Sequence, residues 1–302
     1  MRIIDFNDGI KLNNTIVTIG KFDGIHKGHE KLLNTMVENA NGRRKVILTF
    51  EDAPKDVLNH EQTKSIVTET EKRLICDALG VDVYMSMPLT EEFLSMTPEE
   101  FVTKVLKDKI GATEIVCGPD FRFGAGAKGD IWFLKENQVK YNYAVTVIDK
   151  EQYHDKDISS TDIRAKIEEG KIEEVNEMLD HPYSIMGKVE QGKSLGRTIE
   201  LPTANIVPDS NKLLPPRGVY KTIVVSKHMS YRAVTNIGVN PTVEDSDEIR
   251  VESHIINFKE DLYGEIIEVR FYEFIRPEKK FESVDELKEQ IKIDITNMLK
   301  EG

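Results

Sequence analysis

The first half of the chain alternates short apolar runs with longer amphipathic stretches. Five runs rich in β-branched and aromatic residues predict strands, in the order TIVTIG, KVILTF, VDVYMSM, EIVCG and YAVTVID. Stretches with helical periodicity lie between them, namely HEKLLNTMVENA, TETEKRLICDALG and TPEEFVTKVLKDKIGA. Strands that alternate with helices indicate a mostly parallel, doubly wound α/β sheet, in which ligands bind at the carboxyl ends of the strands.

Local signals set the ends of two helical regions. Before the third amphipathic stretch, Thr97 is a predicted N-cap, Pro98 suits the first turn and Glu100 completes a capping box. The segment ISSTDIRAKIEEGKIEEVNEMLDHP, residues 158–182, is predicted to be helical and to end at Pro182. This segment is expected to close the first domain.

The pattern changes after residue 182. Short runs separated by glycine, proline and acidic turns follow, namely YSIMGKVEQG, GVYKTIVVS, YRAVTNIGV, IRVESHIINF and EIIEVRFYEFI. Several of them alternate, so that Ile267, Val269 and Phe271 are predicted to point to one face of their strand. Short alternating strands in series predict an antiparallel barrel or sandwich.

The chain ends in a predicted helix, SVDELKEQIKIDITNMLKEG. Ile291, Ile295 and Met298 follow helical spacing, and Ser283 with Glu286 matches a capping box. The contrast between the two halves predicts two domains of different folds, 1–182 and 183–302.

Composition narrows the class of protein. A chain of 302 residues is long enough for two domains, and no run of about 18 apolar residues predicts a membrane-spanning helix. The net charge of −12 disfavours a nucleic-acid partner, while small anionic ligands remain compatible with local positive groups. Asp5 and Asp8 interrupt any signal-peptide core, and the two cysteines favour a reducing, cytoplasmic location.

The stretch TIVTIGKFDGIHKGHEKLL, residues 15–33, joins a predicted strand to a predicted helix through glycines and two histidines. Unpaired backbone amides at a helix start attract anions, and Gly20 and Gly28 would let a phosphate approach the backbone. His26 and His29 add side-chain donors there. The pattern lacks the lysine and hydroxyl residue of a Walker loop. Solvated loop histidines and a zinc site, for which no third ligand has good spacing, are the alternatives.

Two motifs in the first half carry a resemblance to a known family. GKFDGIHKGH resembles the signature of nucleotidyltransferases that share an H-x-G-H element, and ISSTDIR, residues 158–164, resembles their second signature. Between these motifs, CGPDFRFGAGAKGD resembles the flavin-side loop of FMN adenylyltransferase modules.

The second half extends the resemblance to riboflavin kinases. P-T-A-N, residues 202–205, resembles the signature of these enzymes, and NIGVNPTV, VESHIINFKEDLYG and FIRPEKKFESVDELKEQIKID are also similar to that family. Nearly the whole chain therefore resembles the bifunctional prokaryotic riboflavin kinase/FAD synthetase family. The resemblance implies a Rossmann-like nucleotidyltransferase domain, followed by an antiparallel β-barrel with a terminal helix.

For the N-terminal domain, the resemblance implies transfer of AMP from ATP to FMN, which gives FAD and pyrophosphate. His26 and His29 are the implied catalytic residues. The implied ATP-binding residues are Gly20, Phe22, Gly28, Ser160, Thr161 and Arg164. The implied flavin-binding residues are Asp120, Phe121 and Phe123, although core packing is the alternative for the two phenylalanines.

For the C-terminal domain, the resemblance implies phosphorylation of riboflavin by ATP. Glu252 is the implied catalytic base and shares a strand face with His254. Thr203 and Asn205 are the implied Mg²⁺ ligands, since neutral oxygens suit this hard cation. Further implied roles are ATP binding by Gly196 and Arg197, and flavin binding by Arg276. A solvent-facing strand carboxylate and a polar turn are the alternatives for Glu252 and for P-T-A-N.

Two positions depart from the family pattern. Ala53 stands where a histidine is expected, and the loop FGAGAKGD has Lys128 after Ala127, so that its basic residue is displaced. These departures bear on the efficiency or substrate choice of the adenylyltransferase.

Three other functions remain as alternatives. The chain could keep only one of the two activities or act as a flavin-binding regulatory protein, while a transfer-RNA-charging enzyme is disfavoured by the acidic composition. The expected partners are therefore ATP, riboflavin and FMN, with no nucleic acid and no membrane. The sequence leaves the oligomeric state open.

Overall fold

The computed structural model describes residues 1–50, 63–190, 203–227, 229–239 and 249–300. They divide into two compact units, Met1–Ser159 and Ser160–Gly302. The second unit therefore begins before the boundary predicted at residue 183. The helical segment that precedes this boundary packs with the second unit, where the Asn176 amide donates to the carbonyl of Phe271 at 2.9 Å.

The first unit contains eight described strands and six α-helices. The strands are β1 (Arg2–Asp5), β2 (Thr15–Ile19), β3 (Arg44–Phe50), β4 (Val83–Met87), β5 (Ala112–Cys117), β6 (Ala144–Val147), β7 (Gln152–Tyr153) and β8 (Lys156–Asp157). The helices are α1 (Lys27–Glu38), α2 (Glu69–Ala78), α3 (Glu91–Ser95), α4 (Pro98–Glu100), α5 (Ile131–Glu136) and α6 (Gln138–Tyr141), with a π-helix at Phe101–Lys109 and a 3₁₀-helix at Ala125–Ala127.

The main sheet of the first unit is parallel and has the strand order β1-β4-β3-β2-β5-β6. The chain proceeds from β2 towards one edge and returns to the other side of β2 with β5, so the order reverses between these two strands. Both faces of the sheet are covered by buried apolar side chains. The predicted doubly wound α/β architecture is confirmed, and ligands are expected where β2 and β5 end.

Two local features differ from the expectations for the first unit. Strand β1 was not predicted, because only two apolar residues stand between Arg2 and Asp5, and of these Ile4 is buried while Ile3 is exposed. The capping box of Thr97 and Glu100 is confirmed, but the helix continues in π form from Phe101.

The second unit contains six described strands and three helices. The helices are α7 (Ser160–Glu168), α8 (Ile172–Leu179) and α9 (Val284–Lys300). The strands are β9 (Ser184–Glu190), β10 (Thr203–Ile206), β11 (Gly218–Ser226), β12 (Met229–Val239), β13 (Ile249–Ile255) and β14 (Ile266–Pro277). The segment predicted as helical over 158–182 forms α7 and α8, which are separated at Gly170 with a φ of +76°.

The six strands close into an antiparallel barrel with the order β10-β13-β12-β11-β14-β9, and so the barrel interpretation is confirmed over the sandwich. Ile267, Val269 and Phe271 are buried, as their alternation predicts. Among the inward-facing hydroxyls, that of Thr235 contacts that of Thr222 at 2.6 Å and that of Ser253 at 2.8 Å. Inside the barrel, these hydroxyl groups therefore satisfy one another.

Helix α9 packs on the outside of the barrel. Ile295 and Met298 of this helix belong to a cluster with Val219, Val234 and Ile275. The predicted capping box is half formed, because the Ser283 hydroxyl accepts from the Glu286 amide at 3.2 Å whereas the Glu286 carboxylate accepts from the Glu282 amide. None of the helices in the described ranges is long and apolar enough to span a bilayer.

Candidate active sites

The histidine motif forms a tightly bent loop between β2 and α1. Phe22, Gly24 and Ile25 have φ values of +52°, +90° and +44°, which bend the backbone sharply at the carboxyl end of the sheet. Phe22 and Ile25 are buried, and their packing offsets the strain of a left-handed backbone. His26 occupies the N-cap position of α1 without a side-chain capping bond, so its ring is available for another role.

The two imidazole rings lie against each other. The His26 and His29 ring centroids are 3.8 Å apart with an interplanar angle of 21°. A Cβ atom at position 28 would lie 3.3 Å from a carbon of the His26 ring, and one at position 20 would lie 3.2 Å from the Phe22 ring. Gly20 and Gly28 thus leave room for the stacked aromatic side chains. Nucleotide contact by Gly20, Phe22 and Gly28 stays a prediction.

Burial keeps both imidazoles neutral at pH 7. It lowers the pKa of His26 to about 4, although the carboxylate of Asp23 acts in the opposite direction. Burial, followed by the effects of His26 and Lys72, holds the pKa of His29 well below its usual range. Each neutral ring carries one N–H donor and one acceptor nitrogen. Nδ1 of both rings is buried and has no hydrogen-bond partner among the described residues, which leaves bonding capacity at this position.

Asp23 fixes the loop to the next helix. Its carboxylate accepts hydrogen bonds from the backbone amides of Ile66 at 2.8 Å and Val67 at 3.3 Å, directly before α2. The structure gives Asp23 a long-range positioning role that becomes apparent only when these segments meet.

Residues 118–130 form a second loop, the aromatic loop, which begins at the end of β5. The neighbouring strand β2 ends in the histidine loop, residues 20–26. Phe123 pairs with Gly129 through two backbone hydrogen bonds of 3.1 and 2.9 Å, which close the loop. Phe123 is buried in the core, and the partly buried ring of Phe121 stacks on it at 5.5 Å. The core-packing alternative therefore describes Phe123. A flavin contact for either phenylalanine stays a prediction.

Charged residues surround this loop. The Asp120 carboxylate pairs with the ammonium group of Lys150, which also lies 3.2 Å from Asp157. Arg122 pairs with Asp130 at 3.1 Å, while the displaced basic residue Lys128 is exposed. Asp120 therefore lies at the edge of the site with its charge already paired.

The remaining described residues predicted for the adenylyltransferase site lie in the first turn or two of helix α7. Ser160 and Thr161 begin helix α7, and the Arg164 guanidinium donates to the carbonyl of Ser160 at 3.3 Å. These residues belong to the second compact unit, whereas the histidines belong to the first. Ala53 lies outside the described residues.

The barrel brings the predicted kinase residues together on its outer face. Glu252 on β13 pairs directly with Asn205 on β10, and Thr203 pairs with His254. Val251, Ser253 and Ile255 are buried inside the barrel, so Glu252 and His254 share the outer face as predicted. Gly196 and Arg197 lie outside the described residues.

Thr203 and Asn205 place two neutral side-chain oxygens close together as candidate metal ligands. The Asn205 amide nitrogen donates to the Thr203 hydroxyl at 3.2 Å, and no residue within the described ranges donates to its amide oxygen, which can bind another group. Asn205 is buried although its strand position faces outward. Two neutral oxygens next to the carboxylate of Glu252 suit a hard divalent cation that keeps phosphate and water ligands. The donor set therefore fits Mg²⁺.

Glu252 has the environment of a base. Its side chain reaches solvent, but surrounding protein withdraws it from water and raises its pKa, and the Glu278 carboxylate acts in the same direction while Arg250 opposes it. A carboxylate with a raised pKa accepts a proton more readily. The sequence analysis gave no role to Glu278 or to its neighbour Asn236, because only the folded barrel brings them close to Glu252.

Arg276 is held by the terminal helix. Its guanidinium donates to the buried carboxylate of Asp294 through Nε at 3.1 Å and Nη2 at 2.8 Å, and Gln290 also donates to Asp294. The ring of Phe281 lies 5.9 Å from this guanidinium. The predicted contact of Arg276 with a flavin stays a prediction.

Comparisons with known proteins match the two halves of the chain to two different enzyme families. Residues 10–162 match the FAD synthetase family model and residues 179–301 match the riboflavin kinase model. A bifunctional riboflavin kinase/FMN adenylyltransferase from Buchnera aphidicola subsp. Schizaphis graminum is 38% identical over 94% of this chain and 93% of its own length. The protein of the same name from Listeria monocytogenes is 33% identical over 93% and 90% of the two chains.

A solved structure has the same fold over nearly the full length. The crystal structure of a protein named macrolide-efflux protein, from Streptococcus pneumoniae, superposes with a TM-score of 0.85. It is 32% identical in sequence, and the match covers 98% of each chain.

Proposed function

Because the chain belongs to the family of bifunctional riboflavin kinases/FMN adenylyltransferases, we propose that it makes FAD from riboflavin in two steps. The second unit phosphorylates riboflavin with ATP, and the first unit adenylylates the resulting FMN with a second ATP. One observation carries this proposal. On the outer face of the barrel, Glu252 lies directly opposite Asn205, whose amide group is hydrogen-bonded to the Thr203 hydroxyl.

In the kinase step, Glu252 takes the proton of the terminal hydroxyl of riboflavin. The alcohol oxygen then forms a bond to the γ-phosphorus of ATP, the bond to the β–γ bridging oxygen breaks, and ADP leaves. Thr203 and Asn205 would hold Mg²⁺, and the bound cation would neutralise charge on the phosphates. The raised pKa of Glu252 supports its role as the base.

In the adenylyl transfer step, an oxygen of the FMN phosphate attacks the α-phosphorus of ATP and pyrophosphate leaves. No protein nucleophile and no proton transfer from substrate is needed, so catalysis consists of alignment and charge stabilisation. Neutral His26 and His29 donate hydrogen bonds to the phosphates through their N–H groups. Phosphate binding by Ser160, Thr161 and Arg164 stays a prediction from their motif, since an arginine fork and a helix start suit such anions.

The flavin contacts are part of the same proposal. In the first unit, the partly buried Phe121 and the carboxylate of Asp120 face FMN, and Phe123 supports Phe121 from the core. In the second unit, Arg276 lies beside the terminal helix, where riboflavin binds.

The setting of the reaction follows from the cysteines. Cys76 and Cys117 are unpaired and buried, as suits a reducing compartment, and we place the enzyme in the cytoplasm. The partners of the chain are then its small-molecule substrates.

A time course tests the proposal directly. The purified chain is incubated with riboflavin, excess ATP and Mg²⁺, and the flavins are separated chromatographically. FMN is expected to appear first and FAD after it, with one ADP per FMN and one pyrophosphate per FAD. FMN that accumulates without FAD would instead favour a chain that retains only the kinase activity. Flavin binding without ATP consumption would favour a regulatory protein.

A further inference from the structure

We propose that Asn236 is a further substrate-binding residue of the kinase site, where it binds the polyol chain of riboflavin and aligns the terminal hydroxyl with Glu252. This inference rests on the proposed function of the second unit. Asn236 begins the segment NIGVNPTV, to which the sequence analysis gave no residue roles, and its position beside Glu252 is evident only in the closed barrel.

The strand register places Asn236 directly beside the base. Glu252 on β13 pairs with Asn205 on β10 and with Asn236 on β12, so the three side chains form one row across the outer face. Directly opposed side chains on neighbouring strands have their Cβ atoms about 5 Å apart. Glu252 therefore lies between two carboxamides.

The order of these three side chains determines how riboflavin is oriented in the site. The phosphates lie on the Asn205 side, because Thr203 and Asn205 supply the oxygen site for the cation. A riboflavin hydroxyl at Glu252 receives the phosphoryl group from that side. The rest of its polyol chain then leaves on the opposite side, where Asn236 lies.

Glu278 fixes the orientation of the Asn236 amide. The Asn236 nitrogen Nδ2 donates to the Glu278 oxygen Oε1 at 3.4 Å. An ionised carboxylate only accepts hydrogen bonds, so the nitrogen side of the amide must face Glu278 and the oxygen Oδ1 must point away from it. No residue in the described part of the chain donates to Oδ1. A polyol hydroxyl is a suitable donor for this oxygen.

Gly238 makes this arrangement sterically possible. A Cβ atom at this position would overlap the Glu278 oxygen Oε1 and would lie 2.9 Å from Asn236 Nδ2. Glu278 and Gly238 therefore act through Asn236 as positioning residues. The alternative is a purely structural tie between the ends of β12 and β14, which would affect stability but not the recognition of substrate hydroxyls.

The test combines a protein variant with a substrate variant. Riboflavin is compared with a flavin that carries a 5-hydroxypentyl chain at N10, which keeps the terminal hydroxyl and lacks the three secondary hydroxyls. In the wild type, riboflavin should have the higher kcat/KM by roughly tenfold, the effect of one well-placed hydrogen bond. Asn236→Leu should lower kcat/KM for riboflavin by the same factor and leave that for the pentyl analogue unchanged.

Further variants separate the positioning residues from general damage. Glu278→Gln keeps an acceptor for Nδ2 and should preserve the preference for riboflavin, whereas Glu278→Ala and Gly238→Ala should both weaken it. Asn297→Leu, on an exposed position of α9, is the matched control and should leave both flavins unaffected. Flavin affinity measured by fluorescence quenching should follow the same pattern without turnover.

Two results would overturn the inference. One is an equal loss for riboflavin and the pentyl analogue in Asn236→Leu, and the other is no change for riboflavin. In either case the wild type still makes FMN. A wild type that makes no FMN would instead remove the proposed function of the second unit, so the two failures are distinguishable.

Discussion

At the residue scale, the distinctive feature of the first unit is a pair of buried, neutral histidines. His26 is 8% exposed and His29 stacks on it, so a proton on either ring would bring charge into a desolvated place. In the proposed adenylyl transfer, the pair is therefore expected to bind phosphate through single N–H donors rather than as two cations. The motif predicts the presence of these histidines, but their protonation follows from packing.

The burial of His26 should make stability depend on pH. Its pKa is about 4 when folded, against 6.5 for the unfolded chain, so the unfolded state binds more protons between these values. The free energy of unfolding should therefore rise by up to about 3 kcal/mol from this group as the pH increases from 4 to 6.5, and the contribution should be complete above 6.5.

Urea titrations of the whole chain at several pH values check this expectation. His26→Asn should flatten the dependence, while the control His154→Asn, at an exposed position with a φ of +47°, should leave it unchanged. A pH dependence equal to wild type in His26→Asn would mean that His26 is not desolvated in the folded state.

At the element scale, helix α9 is tied to the strand β14 by one buried ion pair. Arg276 binds Asp294 through two guanidinium nitrogens, and Ile295 and Met298 add apolar packing on the barrel. The heptad-like spacing of the apolar residues predicts where the helix lies. The ion pair was not predicted, because Arg276 was interpreted as a flavin contact.

Loss of this pair should loosen the terminal helix. Asp294→Ala leaves the partly buried Arg276 without its counter-charge, which should destabilise the docked helix by about 3 kcal/mol. Amide hydrogen exchange in α9 should become faster by about a hundredfold. Glu289→Ala removes an exposed pair with Lys292 on the same helix and should change exchange by less than about threefold. Equal effects of both variants would show that Arg276–Asp294 does not hold α9.

The elements also show what the sequence can predict. Five strands of the parallel sheet and five of the six described barrel strands follow from apolar patterns, whose burial any compact fold must satisfy, whereas β10 was not among the predicted runs. Strand β1 is too short to show a pattern, and it exists because β4 offers an edge to pair with. Asp23 and Asn236 acquire their partners only from distant segments, Ile66 and Glu278. The site motifs were thus predictable, while the contacts that Asp23 and Asn236 make within the fold were not.

At the scale of the whole molecule, each compact unit has a sheet and a core of its own. The histidine pair belongs to one unit and Glu252 to the other, so the two activities should be separable by single substitutions. His29→Ala should stop the reaction at FMN. Glu252→Gln should lower the rate of riboflavin phosphorylation by at least about a hundredfold. The same variant should still convert added FMN to FAD.

Mixing the two variants checks this separation. Neither variant alone should make FAD from riboflavin, and an equimolar mixture should do so through FMN released into solution. Near-normal phosphorylation of riboflavin by Glu252→Gln would show that another group is the base. A mixture that makes FMN but no FAD would show that FMN does not reach the second protein.

The closed barrel also determines where this chain presents open strand edges. Each of the six described barrel strands has a neighbour on both sides, so these strands offer no row of unpaired amides and carbonyls to another polypeptide. The parallel sheet ends instead in β1 and β6, and β1 is four residues long and flanked by the charges of Arg2 and Asp5. Short, charged edges discourage self-association of sheets. Strand β6 is also four residues long but carries no charged residue, so of the two edges of this parallel sheet it is the one against which a misfolded copy can more readily align.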